Sequence, residues 1–279
     1  MEQMKTPISY YGGKQTLASV ILKAIPEHRL YCEPFLGGAA VFFAKPLSKL
    51  EIINDINGEL INFYWVMKHN FEELQKEVEV TLHSRKLYMQ AKVVYNNPDM
   101  FSPVKRAWAV WVLANMAFGS NLNTSFGYGK KSNKYPVGIT NKRNNFNTAC
   151  KERLEKVTIE CREAITVINN YDSAGSFFYI DPPYVGAEQG HYKGYTQAEF
   201  DVLLQTLKEL KGKFILSSYR NEILKDYALR NGWHSVEFKM PSSMTVRDGK
   251  KVKEKVEVLT GNYPFQKQLE LIRQDGEYV

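Results

Sequence analysis

The chain has 279 residues, 44% of them hydrophobic, enough for one large α/β domain or two small ones with a substantial core. Lysine and arginine exceed aspartate and glutamate by 37 to 30, a net charge of +7 that fits a polyanionic partner without requiring one. Three widely spaced cysteines (Cys32, Cys150, Cys161) argue against a disulfide framework or zinc site, and neither a signal-peptide core nor an apolar run of spanning length occurs, so a soluble, cytoplasmic protein with no membrane or metal partner is expected.

In chain order, Ile8-Ser-Tyr-Tyr-Gly-Gly-Lys14 brings aromatic faces, a flexible turn and a cation. Residues 30–33 (L-Y-C-E) read as a short strand, followed by P-F-L-G-G and an apolar stretch at 39–44. A second strand is predicted at 51–55, running into a helix over 56–68 on which Ile61, Trp65 and Lys68 are spaced. Strands alternating with helices imply a parallel sheet. The text then turns helical, at 71–80, 84–95 and 104–118. Residues 119–147 carry seven asparagines and little apolar periodicity, which predicts loops or a hairpin that need a ligand to justify them. Strands follow at 157–161 and 176–180. A helix over 196–210 opens on a Thr196/Glu199 capping box, and another strand is predicted at 214–218. Alternating runs at 235–239 and 255–259 predict an antiparallel hairpin around the polar 246–251. The expected organisation is an α/β domain of residues 1–62 and 151–279, interrupted at 63–150 by a mainly helical segment that governs substrate choice.

Two stretches carry chemistry. In a doubly wound sheet the ligand lies outside the carboxyl ends of the strands, beside a glycine turn after the first strand and an acid ending the second. Glu33-Pro-Phe-Leu-Gly-Gly38 supplies the turn, and Asp55 is placed to accept from ribose hydroxyls. An ordinary tight turn at Gly37 and a helix cap at Asp55 are the alternatives. The loop lacks G-x-G-x-x-G, which favours a ribose-containing cofactor without a diphosphate. The second stretch is F-Y-I-D-P-P-Y, residues 178–184, where a hydrophobic strand ends in an acid, two prolines and an exposed-looking aromatic. An amine conjugated to a base ring is a poor nucleophile until acceptors draw it toward tetrahedral geometry. Asp181 can accept one N–H and a carbonyl pinned by Pro182 and Pro183 the other, while Tyr184 can stack on the base. A bare Asp-Pro turn is a common strand ending; its combination with Tyr184 and an upstream cofactor turn is not.

These residues resemble the Dam-like, class-D12 family of DNA adenine-N6 methyltransferases across most of the chain. Y-Y-G-G-K (10–14) looks like its N-terminal cofactor motif, E-P-F-L-G-G-A (33–39) is similar to its F-x-G-x-G loop with Ala39 departing, N-D-I-N (54–57) resembles its ribose motif, and D-P-P-Y (181–184) its catalytic tetrapeptide. The resemblance implies a Rossmann-like, seven-stranded sheet with an antiparallel last strand. It implies S-adenosyl-L-methionine as donor, with Tyr10, Lys14, Glu33, Phe35, Gly37, Asp55 and Asp181 as the cofactor-binding set, and a contact of residues 161–164 with the cofactor's adenine ring.

A base inside a duplex must be flipped out to reach such a pocket. Contacts to double-stranded DNA are expected from Thr124, Tyr128, Lys130, Lys131, Lys134, Lys142 and Arg143, with Phe126 and Tyr135 interleaved, and base reading from Asn121, Asn123 and Asn141. Residues 186–195 are predicted to form a mobile lid. No strong general base is required, and the five histidines read as structural or surface residues. The oligomeric expectation is a monomer or weak dimer in a bacterial or phage-infected cell. The rival readings are a cytosine-N4 or RNA amino methyltransferase, since the acceptor chemistry is the same, and a non-catalytic nucleic-acid-binding module.

Overall fold

The computed structural model describes residues 4–185, 195–240, 255–265 and 269. Seven strands, β1 (Leu30–Glu33), β2 (Leu50–Asn54), β3 (Val157–Glu160), β4 (Ser176–Ile180), β5 (Lys213–Tyr219), β6 (His234–Met240) and β7 (Lys255–Gly261), form one sheet in the order β3-β2-β1-β4-β5-β7-β6. The first five in that order are parallel, and β7 runs antiparallel between β5 and β6. This is the expected sheet with its antiparallel last strand. The chain leaves β1 toward β2 on one side, while β4 pairs with β1 on the other. That reversal opens a crevice at the carboxyl ends of β1 and β4, where α/β sheets bind ligands.

The helices among the described residues are α1 (Ala18–Ala24), α2 (Ala40–Ala44), α3 (Gly58–His69), α4 (Phe71–Glu79), α5 (Arg85–Asn96), α6 (Pro103–Met116), α7 (Lys134–Asn145), α8 (Thr148–Leu154), α9 (Ala164–Tyr171), α10 (Gln197–Lys208) and α11 (Glu222–Asn231). Alternate strand residues face opposite layers. Tyr31, Ile53, Phe177, Tyr179 and Ile215 pack under α1, α2 and α3, whereas Cys32, Ile52, Phe178, Ile180 and Leu216 pack under α9, α10 and α11. With both faces covered, β4 is buried along its whole length, which is why S-F-F-Y-I is a continuous apolar run.

Between β2 and β3 the chain builds a helical layer around α6, which packs on α3, α4 and α5. Trp108 and Trp111 of α6 belong to the same buried cluster as the sheet face. An ion cluster ties the layer to the sheet: Glu51 of β2 accepts from Lys45 Nζ at 2.5 Å and from both terminal nitrogens of Arg153 on α8. Arg153 also donates to the Phe42 carbonyl at 2.8 Å.

The expectation for 119–147 needs correction. A short hairpin does form, with Ala117 bridged to Phe126 and the Phe118 N–H donating to Ser125 O at 2.8 Å. Residues 134–145, however, are helical. Pro136 sits in the first turn, where a missing N–H costs nothing, and the helix is held by tertiary anchors: Lys142 Nζ donates to Thr6 O at 2.8 Å and Arg143 Nη1 to Thr81 O at 3.3 Å. Lys142 is thereby turned inward, and burial lowers its ammonium to a pKa of about 8, so it is not the DNA-facing cation expected. Helices α1, α8, α9 and α11 were not predicted. The capping box opening α10 forms as expected, with Glu199 N–H donating to Thr196 Oγ1 at 3.2 Å.

Candidate active site

The loop after β1 is shaped by what packs on it. Gly37 has a left-handed φ of 49°, and its N–H donates to Asp55 Oδ2 at 2.9 Å; Asp55 Oδ1 accepts from Asn57 N–H at 2.9 Å. The helix cap is therefore Asn57, whose side chain accepts from Glu59 and Leu60 N–H, and Asp55 instead bridges the glycine loop to the end of β2. Tyr10 lies directly against the loop: a Cβ at Gly38 would fall 2.6 Å from the Tyr10 Cβ, and one at Gly37 3.2 Å from its ring. Tyr64, which the sequence did not single out, anchors the same loop by donating to Gly37 O at 2.9 Å. Asn54 ties in the loop after β3, donating to Pro34 O at 2.8 Å and accepting from Arg162 N–H at 2.9 Å. Ala39 has a φ of 56°, a conformation that suits the glycine this position departs from. Phe35 is half-buried and edge-on to Tyr195, with ring centres 6.2 Å apart.

A buried charge network gathers at the carboxyl end of β4, beside the crevice, and reaches β5 and β7. Lys14, 7% exposed, donates to Asp181 Oδ1 at 2.8 Å and to Gly12 O at 3.0 Å, and its ammonium lies 3.6 Å from Glu257 Oε1 and 4.9 Å from the Tyr184 ring centre. Burial would push this ammonium down, yet Asp181 and Glu257 together hold it above its ordinary value. Burial also raises Asp181 to a pKa of about 6, with Lys14 opposing and Glu257 adding to the rise. Glu33, accepting from Tyr31 OH at 2.5 Å, is pushed by burial to about 8 and is neutral at pH 7. Pro182 and Pro183 are buried. Tyr184 is buried too, at 7% exposure, which corrects the exposed aromatic expected from sequence. Its hydroxyl donates to Glu257 and lies 3.3 Å from Asp181 Oδ1, and its ring meets Tyr219 edge-on at 4.3 Å. Beside it opens a recess lined by Pro182, Tyr184, Phe200, Tyr219 and Asn221.

The model of the D12 class N6 adenine-specific DNA methyltransferase family matches residues 10–241, most of the chain and every motif just placed. The chain belongs to this family. It is an S-adenosylmethionine-dependent, adenine-specific DNA methyltransferase. The Type II methyltransferase M1.LlaDCHI of Lactococcus lactis subsp. cremoris is 28% identical over 244 residues, covering 77% of this chain and 83% of the relative. The DNA adenine methylase of Salmonella typhi is 25% identical over 253 residues, 85% of this chain and 86% of the relative. An rRNA methylase structure from Streptococcus thermophilus matches with a TM-score of 0.36 at 8% identity, over 87% of this chain and 92% of that one.

For a member of this family the remaining question is which residues meet DNA. Lys130, Lys131 and Lys134 are exposed, as is Tyr128. Asn123 is exposed and Thr124 half-buried on the hairpin, whereas Asn121 is buried, its Oδ1 accepting from Asn123 N–H at 3.1 Å, and so serves the hairpin's own turn. Arg143 is half-buried against Thr81. Phe126 is buried and stacks on His83 at 4.6 Å, rather than offering a face to a base. The sequence missed Arg85, whose exposed guanidinium lies over Phe126 at 4.8 Å and Tyr128 at 5.4 Å, flanking the hairpin. It also missed Ser217 and Glu257. An acid inside the apolar run V-E-V-L was the available signal. Residues 186–194, most of the expected lid, lie outside the described residues. Among the described residues no group of three or more His, Cys, Asp or Glu is placed to hold a metal, and no helix is long and apolar enough to cross a membrane.

Proposed function

We propose that the enzyme methylates N6 of an adenine flipped out of double-stranded DNA, with Asp181 as the acceptor that activates the amine. The observation that carries this reading is the convergence at one crevice of Lys14, the Gly37–Asp55 loop and Asp181, drawn from positions far apart in the chain. The residues fit an adenosyl amino acid: Asp55 and the Gly37 backbone suit a ribose, Tyr10 and Phe35 offer apolar cover, and Lys14, Glu33 and Asp181 provide polar groups for an amino-acid moiety. When bound, the cofactor supplies an electrophilic methyl group on a sulfonium.

The protein's part is to prepare the amine. Asp181 Oδ1 is held by Lys14 at 2.8 Å with the Tyr184 hydroxyl beside it, while Oδ2 has no hydrogen-bond partner among the described residues and is left to accept an N–H. The Pro182 carbonyl, pinned by the following proline, is the second acceptor. The recess beside Tyr184 and Tyr219 would take the flipped ring, and the exposed Lys130, Lys131 and Lys134 would meet phosphates and offset the cost of unstacking.

The test is labelled S-adenosylmethionine with mixed-sequence DNA, followed by sequencing for modified adenine. Asp181→Ala is expected to lower labelling by about 10²–10³-fold while the circular dichroism spectrum stays that of the wild type. Turnover at the wild-type level would refute the assignment.

A further inference from the structure

We infer that Glu257 is a positioning residue of the methyl-transfer site, holding the Tyr184 hydroxyl and the Lys14 ammonium so that Asp181 remains an effective acceptor. This rests on the reading of Asp181 given above. Glu257 comes from β7, where it pairs in register with Tyr219 of β5, and it is 5% exposed. Its Oε1 accepts from the Tyr184 hydroxyl and from Ser217 Oγ at 2.6 Å, with Lys14 Nζ at 3.6 Å. A carboxylate buried this deeply is costly unless polar groups converge on it, and here two hydroxyls donate to it with an ammonium close by.

Two of those groups also touch Asp181. The Tyr184 hydroxyl lies 3.3 Å from Asp181 Oδ1, and Lys14 is bonded to the same oxygen at 2.8 Å. Each hydrogen bond or positive charge placed on Asp181 makes it a poorer acceptor for an amine. By drawing the tyrosine proton and part of the ammonium's field to itself, Glu257 leaves Asp181 electron-rich. The groups facing Asp181 are Lys14, Glu33 on β1, Tyr179 on β4, Tyr184, and Glu257 on β7. Of these, Glu257 and Glu33 are the acids, and Glu33 is neutral at pH 7.

Glu257→Ala and Glu257→Gln should be compared with wild type and Asp181→Ala for kcat, KM for DNA, cofactor Kd and the pH dependence of kcat. The alanine variant is expected to lose about 10²-fold in kcat with KM and Kd changed by less than about threefold. Glutamine keeps an acceptor for Tyr184 and is expected to recover roughly tenfold of that loss. In both variants the acid limb moves to lower pH, because Asp181 has lost a neighbouring negative charge; a purely structural role would leave the limb in place. Wild-type kcat in both variants, or reduced kcat with neither glutamine rescue nor a shifted limb, overturns the inference while an inactive Asp181→Ala preserves the reading beneath it. An active Asp181→Ala overturns that reading instead. Should the alanine variant fail to fold, the isosteric glutamine variant decides: wild-type kcat with an unmoved limb overturns the inference.

Discussion

Asp181 and Glu33 are both pushed upward by burial, so each opposes folding as it ionises. For a carboxyl whose folded value is raised, the stabilising contribution is complete below the unfolded value and is lost as pH rises through the folded one. For Asp181 the window runs from 3.8 to about 6, and for Glu33 from 4.5 to about 8. Turnover has the opposite sign over the first window, since ionised Asp181 is the form that accepts hydrogen bonds through both oxygens, the amine's among them. Methyl transfer is therefore expected to rise from pH 5 to 7 while these two groups reduce stability; a pH–rate profile and thermal melts over the same range check this. Glu33→Gln is expected to leave stability nearly unchanged near pH 5 and to raise it progressively toward pH 9, by on the order of a few kcal/mol at most, read as a rising melting temperature. Gly38→Ala would drive a methyl group to 2.6 Å from Tyr10 Cβ. It is expected to cost about 1–3 kcal/mol of stability and to weaken cofactor binding about tenfold or more, measured by equilibrium titration. At this scale D-P-P-Y and the glycine loop were legible because acids and prolines break an apolar pattern in place. Glu257 was not, because its partners Lys14 and Tyr184 are distant in sequence and only β-strand register brings them together.

At the scale of elements, the central strands and α10 follow their patterns closely, since apolar runs and a capping box are local signals. Helix α7 does not. Its K-Y-P-V-G-I-T-N-K-R-N-N has proline, glycine and three asparagines, and among its residues only Ile139 is buried; anchors at Thr6 and Thr81, invisible to periodicity, fix it. The same kind of long-range fastening joins the helical layer to β2 through Glu51, Lys45 and Arg153. Removing Glu51 strands two buried cations. Glu51→Ala is expected to cost about 3–5 kcal/mol, seen as a lower denaturant midpoint with cofactor-free protein, whereas exposed Arg220→Ala, which breaks a surface pair with Glu237, should cost less than about 1 kcal/mol.

For the whole molecule, the net charge of +7 acts through its exposed part near the hairpin. If Lys130, Lys131 and Lys134 each neutralise one phosphate, log affinity should fall against log salt with a slope of roughly −2.7, about 40-fold between 50 and 200 mM, and Lys130→Ala should flatten the slope by about 0.9. Filter binding across a salt series measures both. The order of the sheet carries another consequence. Because β7 lies between β5 and β6, the strand that completes the fold is translated after the strand it separates from the rest. A nascent chain that has emerged only through β6 has no antiparallel partner for β5, whose backbone donors and acceptors stand open along an apolar edge. Ribosome-stalled or truncated chains of that length should be aggregation-prone and inert in methyl transfer.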